Sequence, residues 1–342
     1  MATERPLIAV LNSNSRVMLP DEFARYEDRL RFRHPPAAAR ASEARSAVDA
    51  AMAKELLAGA DGCITCWGSP PISADLLAAA PGLRIIAHAA GTLRPYLTPS
   101  VWERDIAVVS AAGAIAEEVA HYTAALVVIG RRSLMELAPQ TARGKWRDVQ
   151  LHRPSSDVRG ITVGIIGAGE VGRRVLALLA HYQVRLLLAD PFVNAEQAAA
   201  LGAEKRELEE LFAESDVVSV HAPNNDQTRH MVNAERLALL RDGAIFINTS
   251  RGPLVDQEAL VAELHRRRIW AFIDVTDPEP PPPGSPLFGC PHLTLSPHVA
   301  GSIEGSGRYQ LRWVLDEVAR LFAGEPLRNP QTRAMVDMSS FR

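Results

Sequence analysis

At 342 residues, with 47% hydrophobic and 23% charged residues, the chain can build two hydrophobic cores, and its formal net charge of -3 supplies no field to hold it to nucleic acid or to an anionic membrane. No uninterrupted apolar stretch approaches the roughly 20 residues of a membrane span, so we expect a soluble cytoplasmic protein with a small-molecule partner, no nucleic acid and no membrane. Cys63, Cys66 and Cys290 are too few and odd in number for a disulfide framework. Cys63 and Cys66 form a C-x-x-C inside DGCITCW, which reads as buried strand, so they are expected as core thiols and not as a redox pair.

Along the chain, short apolar runs alternate with helical patterns, the pattern of parallel sheets with crossover helices. LIAVLN from Leu7, GCITCW from Gly62, LRIIAH from Leu83 and IAVVSA from Ile106 are strand candidates, with SAVDAAMAKELLAGA and SADLLAAA as helices between them. This first block has a flavodoxin-like order. AEEVAHYTAALVVIGRR, Ala116 to Arg132, is apolar on a helical period and predicts a buried helix, followed by the polar connector TARGKWRDVQLHRPSSDVRG. From Ile161 a second series begins: ITVGIIG, VRLLLAD, DVVSVHA, GAIFINT, WAFIDV and HLTLS read as strands of a doubly wound dinucleotide-type domain. Pro280 to Pro283 predict a stiff surface loop, and the chain closes with a helix ended by Gly324 and Pro326.

GAGEVG, Gly167, Ala168, Gly169, Glu170, Val171 and Gly172, fits G-x-G-x-x-G directly after a strand and at the head of an amphipathic helix. Gly167 permits the tight turn, Gly169 lets backbone approach a pyrophosphate, and Gly172 allows close packing of helix on sheet. The helix N-terminus offers unpaired N–H groups and a positive dipole end to the phosphates. Asp190 ends the next strand about 20 residues on, where a carboxylate accepts bonds from ribose hydroxyls and repels a 2′-phosphate. NAD is therefore expected over NADP.

His221 to Leu260, HAPNNDQTRHMVNAERLALLRDGAIFINTSRGPLVDQEAL, resembles the signature of the D-isomer-specific 2-hydroxyacid dehydrogenases. DVRGITVGIIGAGEVG and ADPF upstream agree in order, as do DVTDPEP, SPHVAG and FAGEPLRN downstream. The resemblance implies an α/β fold of two doubly wound domains, a Rossmann cofactor domain over 114–299 inserted in a flavodoxin-like substrate domain of 1–113 and 300–329, with 330–342 left as a C-terminal tail. It implies an active site in a cleft beside the cofactor domain and a homodimer formed mainly by the cofactor domains. It places the family's catalytic arginine on Arg251, its glutamate on Glu279 and its histidine on His298. The chemistry asks for the same three types: a cation that clamps the carboxylate and carbonyl of a 2-keto acid, an acid for the emerging alkoxide, and a carboxylate that favours the charged form of that acid.

By the same resemblance Asp274 and the backbone at Thr249 hold the nicotinamide carboxamide. Ala222 and Pro223 lie where the cofactor passes the sheet edge, and Pro191, Thr228, Ser250, Arg251, His298 and Gly301 complete the cofactor set. The substrate carboxylate falls to backbone N–H groups of the AAGT loop, Ala90, Gly91 and Thr92 with Ala89 before them, together with Arg251 and His298. This loop departs from the family's glycine-rich run and reads AAGTLRPYL, which puts substrate preference on reshaped ground; Arg94 offers a second cation there. His121 stands where the family usually has glutamate. His88, His221 and Trp67 are further pocket candidates, with packing at strand ends as the alternative. The histidines show no metal-ligand spacing, so no metal is expected. An NAD(H)-sensing, corepressor-like binding protein on the same fold is the alternative function, separated from an enzyme by its slow turnover.

Overall fold

The computed structural model describes residues 4–36, 48–146, 149, 151, 156–303 and 305–338. The middle of the polar connector, 147, 148, 150 and 152–155, lies outside the described residues, as do 46–47 at the head of the first helical stretch. The chain divides into two compact units, Met1–Ile115 with Ser302–Phe341, and Ala116–Gly301.

In the first unit the described strands are β1 (Leu7–Val10), β2 (Arg31–Arg33), β3 (Gly62–Thr65), β4 (Ile85–His88) and β5 (Ala107–Ser110), all parallel in the order β2-β1-β3-β4-β5. This is the flavodoxin-like order expected. β1, β3, β4 and β5 are the four apolar runs; β2, RFR, carries one apolar residue between two arginines and gives no strand pattern of its own. Helices Ala50–Leu57 and Ala74–Ala79 start at Asp49 and Ser73, whose side chains accept the N–H groups of Met52 and Leu76. Helix Gly307–Phe322 buries Leu311, Val314, Leu315 and Val318 against the sheet. Residues 330–338 are not a separate tail: Gln331 donates its N–H to Val108 O at 2.8 Å, and helix Arg333–Met338 buries Val336 in the core. One buried apolar side chain in a short helix leaves no period for a sequence to display.

In the second unit the described strands are β6 (Thr162–Ile166), β7 (Arg185–Ala189), β8 (Glu204–Lys205), β9 (Val217–Val220), β10 (Ile245–Asn248), β11 (Trp270–Ile273) and β12 (Leu293–Leu295). They run parallel in the order β12-β11-β10-β9-β6-β7-β8, with the crossover point between β6 and β9. A ligand crevice at the carboxyl ends of the strands is the property of this topology. The six apolar runs are strands; β8 adds two residues paired to Leu187 and Leu188. Helix Ala112–Arg131 is, among the described residues, the one helix long and apolar enough to cross a membrane, and its Ala120, Ala124, Leu126 and Val127 are buried in the core beneath this sheet. Gly130 lets it lie close: a Cβ there would stand 2.9 Å from both Ile245 and Phe272.

Candidate active site

The glycine turn joins β6 to the helix Glu170–Leu179. Gly167 has φ 93°, and a Cβ there would meet the His221 carbonyl at 2.9 Å; at Gly172 it would stand 2.0 Å from Gly167 O. Side chains are thus excluded at both positions by backbone. A Cβ on Gly169 would meet nothing within 4 Å, and Gly169 caps the helix without a side-chain bond, so first-turn N–H groups face an open approach. Val171 is half-buried, and Glu170 pairs on the helix surface with Arg174.

Asp190, the first residue beyond β7, accepts the Ala168 N–H at 2.7 Å on Oδ2 and the Phe192 N–H at 2.8 Å on Oδ1. The carboxylate expected at the ribose therefore also braces the glycine turn, with lone pairs left over. Pro191 beside it is exposed. Turn, helix end and carboxylate together fit a dinucleotide.

Across the sheet, the register aligns Asn248 with Ile273 and Ile273 with Leu295, so Thr249, Asp274 and Ser296 form the next row beyond β10, β11 and β12. Asn248 is buried and shapes the first loop from both sides: its Oδ1 accepts the Ser250 N–H at 3.0 Å and its Nδ2 donates to Arg251 O at 2.9 Å. Ser250 Oγ donates to Ala222 O at 2.9 Å, and Thr228 Oγ1 donates to Pro223 O at 2.6 Å. The segments 222–228 and 249–251, expected on the cofactor side, are thereby tied together.

Arg251 donates from Nη1 to Ser250 O at 2.7 Å. Burial holds its guanidinium below the usual arginine range, and the nearby Glu279 charge works in the opposite sense. A largely desolvated cation is a strong partner for a carboxylate. Glu279 accepts the Thr276 N–H at 3.3 Å on Oε2 and faces His298 Nδ1 at 2.5 Å with Oε1. With Nδ1 engaged, Nε2 is the nitrogen left for proton exchange. His298 itself has φ 54°, a left-handed conformation uncommon for residues other than glycine.

Asp274 holds that conformation. It is 2% exposed, its carbonyl accepts the His298 N–H at 2.9 Å, and its carboxylate accepts Ser296 Oγ at 2.5 Å, Val299 N–H at 3.0 Å and Ala300 N–H at 2.9 Å. The carboxylate expected at the carboxamide is thus also engaged with the loop 296–300, just before the buried Gly301.

His88 and His221 are packing residues. Both are buried, and burial pushes each imidazole down to about 3, so each is neutral. His221 Nε2 pairs with Ser219 Oγ at 3.0 Å and His88 Nδ1 with Thr65 Oγ1 at 2.9 Å. Trp67 is half-buried, and its carbonyl accepts Asn12 Nδ2 at 3.0 Å. Cys63 and Cys66 are core thiols pushed up to about 12 by burial. The trio and the cofactor set all lie in the second unit, whereas Ala89, Ala90, Gly91 and Thr92 follow β4 in the first. There Ala89 and Ala90 are buried, Gly91 and Thr92 are half-buried, and Arg94 is exposed. Among the described residues no cluster of His, Cys, Asp or Glu could hold a metal.

The NAD binding domain of the D-isomer specific 2-hydroxyacid dehydrogenases matches residues 124–300. The chain belongs to that family. It is 34% identical over 259 residues to a glyoxylate reductase of Korarchaeum cryptofilum, spanning 75% of this chain and 78% of that protein. It is 30% identical over 254 residues to a hydroxypyruvate reductase of Thermotoga maritima, spanning 73% of this chain and 80% of that one. A phosphoglycerate oxidoreductase from Rhizobium etli shares the fold, with a TM-score of 0.80 over 96% of this chain and 99% of that chain at 24% identity. As a D-isomer specific 2-hydroxyacid dehydrogenase, the protein is an NAD-dependent oxidoreductase with an α/β architecture of two parallel-sheet domains.

Proposed function

We propose that this dehydrogenase interconverts a small 2-keto acid and its 2-hydroxy acid with Arg251 as clamp and His298, paired with Glu279, as acid and base. The observation that carries the reading is the 2.5 Å contact of His298 Nδ1 with Glu279 Oε1, in the charge field that also includes Arg251. When bound, NADH supplies the hydride that C2 of the keto acid accepts. The guanidinium binds the substrate carboxylate and polarises the carbonyl, drawing charge to its oxygen. His298 gives that oxygen the proton from Nε2, and Glu279, facing Nδ1, orients the imidazole that does so. In the oxidative direction neutral His298 takes the hydroxyl proton back.

Gly167, Gly169 and Gly172 would hold the pyrophosphate, and Asp190 the adenosine ribose, which supports preference for NAD over NADP. The buried free thiols Cys63, Cys66 and Cys290 support a reducing, cytoplasmic setting, and the family resemblance supports a homodimer. The names of the relatives above support small, polar keto acids as substrates.

NADH absorbance followed across glyoxylate, pyruvate, hydroxypyruvate and larger keto acids tests the reaction class. The native protein is expected to turn over at least one of them. Arg251→Lys, which keeps the charge but not the two-point fork, is expected to lose about a hundredfold in kcat/KM. Silence on the whole panel, or a lysine variant with native kcat/KM, would remove this reading.

A further inference from the structure

Thr249, Asp274 and Ser296 are the row from which the segments bearing Arg251, Glu279 and His298 depart. Two consecutive residues of the helix Ala112–Arg131 reach this row. Tyr122, half-buried against the core, donates from its hydroxyl to Ser296 Oγ at 3.1 Å, and Ser296 Oγ donates onward to Asp274 Oδ1 at 2.5 Å. Thr123, fully buried, shares a 2.9 Å hydroxyl contact with Thr249 Oγ1. A serine hydroxyl has a single proton to give. With Tyr122 donating into its oxygen, Ser296 must turn that proton toward Asp274, the carboxylate that also takes the Val299 and Ala300 amides just past His298.

We propose that Tyr122 and Thr123 are positioning residues of this dehydrogenase, Tyr122 fixing the His298 loop through Ser296 and Asp274, and Thr123 fixing the Arg251 loop through Thr249. The assignment rests on the proton-relay reading above and adds a division of labour to it. Neither residue touches the reacting atoms. Tyr122 acts on the alignment of the proton donor, so its loss is felt in kcat. Thr123 acts on the loop that presents the clamp, so its loss is felt in the KM for keto acid. Neighbouring helix positions point about 100° apart, which lets one helix brace two strand ends that flank a third.

The test combines steady-state kinetics with hydrogen exchange of the Val299 and Ala300 amides. Tyr122→Phe keeps the ring and removes the donor; it is expected to speed exchange at these two amides and to lower kcat about fivefold to tenfold with keto-acid KM near native. Ser296→Ala combined with Tyr122→Phe is expected to cost no more than Ser296→Ala alone, because both break one chain. Thr123→Val is expected to raise keto-acid KM several-fold, and Thr123→Ser, which restores the hydroxyl, to bring it back. Native exchange at Val299 and Ala300 in Tyr122→Phe, faster exchange without a fall in kcat, or multiplying effects of Tyr122→Phe and Ser296→Ala would each overturn the proposal. A native enzyme that binds NADH yet reduces no keto acid would end the proton-relay reading instead, a result visible before any variant is made.

Discussion

Gly252 lies so close to Thr276 that a Cβ on it would stand 2.0 Å from the Thr276 carbonyl oxygen. The loop that bears Arg251 and the loop that bears Glu279 are thus in backbone contact, and only glycine permits the approach. Gly252→Ala should push the two loops apart. We expect a loss of on the order of 2 kcal/mol in urea unfolding from overpacking, and a fall of about a hundredfold in kcat/KM from the displaced guanidinium. An alanine variant with native kinetics would show that this contact does not set the site.

Asp190 accepts the Ala168 and Phe192 amides, and in the proposed cofactor site the same carboxylate would also hold the adenosine ribose. Asp190→Ala should therefore weaken NADH binding by about tenfold to a hundredfold without creating affinity for NADPH, because removing a repulsion does not build a phosphate site. Fluorescence titration with the two nucleotides measures this. Tight NADPH binding by the variant, or an unchanged NADH affinity, would count against the assignment.

His88 and His221 make stability depend on pH. Each is held neutral in the fold at about 3 against an ordinary 6.5, so below 6.5 the unfolded chain binds protons that the folded chain refuses. The stability they allow is complete above about pH 6.5 and is lost as pH falls toward 3. Between pH 6.5 and pH 5 each should cost about 2 kcal/mol. His88→Asn cannot titrate, so urea unfolding at pH 7 and pH 5 should show a smaller drop for the variant than for the native chain; equal drops would contradict the burial argument.

The parts of the site that reside in local motifs were readable from sequence. Gly167 to Gly172 need only a preceding strand and a following helix, and Arg251, Glu279 and His298, candidates carried by the family resemblance, each stand in a short motif after a strand. The braces were not readable, because they are made by residues distant in sequence. Tyr122 reaches Ser296 across 174 positions and Thr123 reaches Thr249 across 126. Asn248 carried a faint signal, a polar residue closing the buried strand IFIN, and Gly252 carried only that of a glycine before proline. In the fold, β2 and β8 give no strand signal, because RFR and EK contain too few apolar side chains to show a period.

In the proposed reaction Glu279 orients His298 through its contact with Nδ1, so that Nε2 delivers the proton to the carbonyl oxygen. The pairing aligns Nε2 with the substrate oxygen in both directions, so its loss should lower kcat/KM for keto-acid reduction and for hydroxy-acid oxidation alike. Glu279→Gln keeps the shape and removes the charge that faces Nδ1 at 2.5 Å. The most direct measurement is kcat/KM for keto-acid reduction by the native enzyme, Glu279→Gln, His298→Ala and the double variant. Glu279→Gln is expected to lower kcat/KM by about tenfold in the native background and to add nothing in the His298→Ala background; native kcat/KM in Glu279→Gln, or independent effects of the two changes, would show that Glu279 is not the partner of the proton donor.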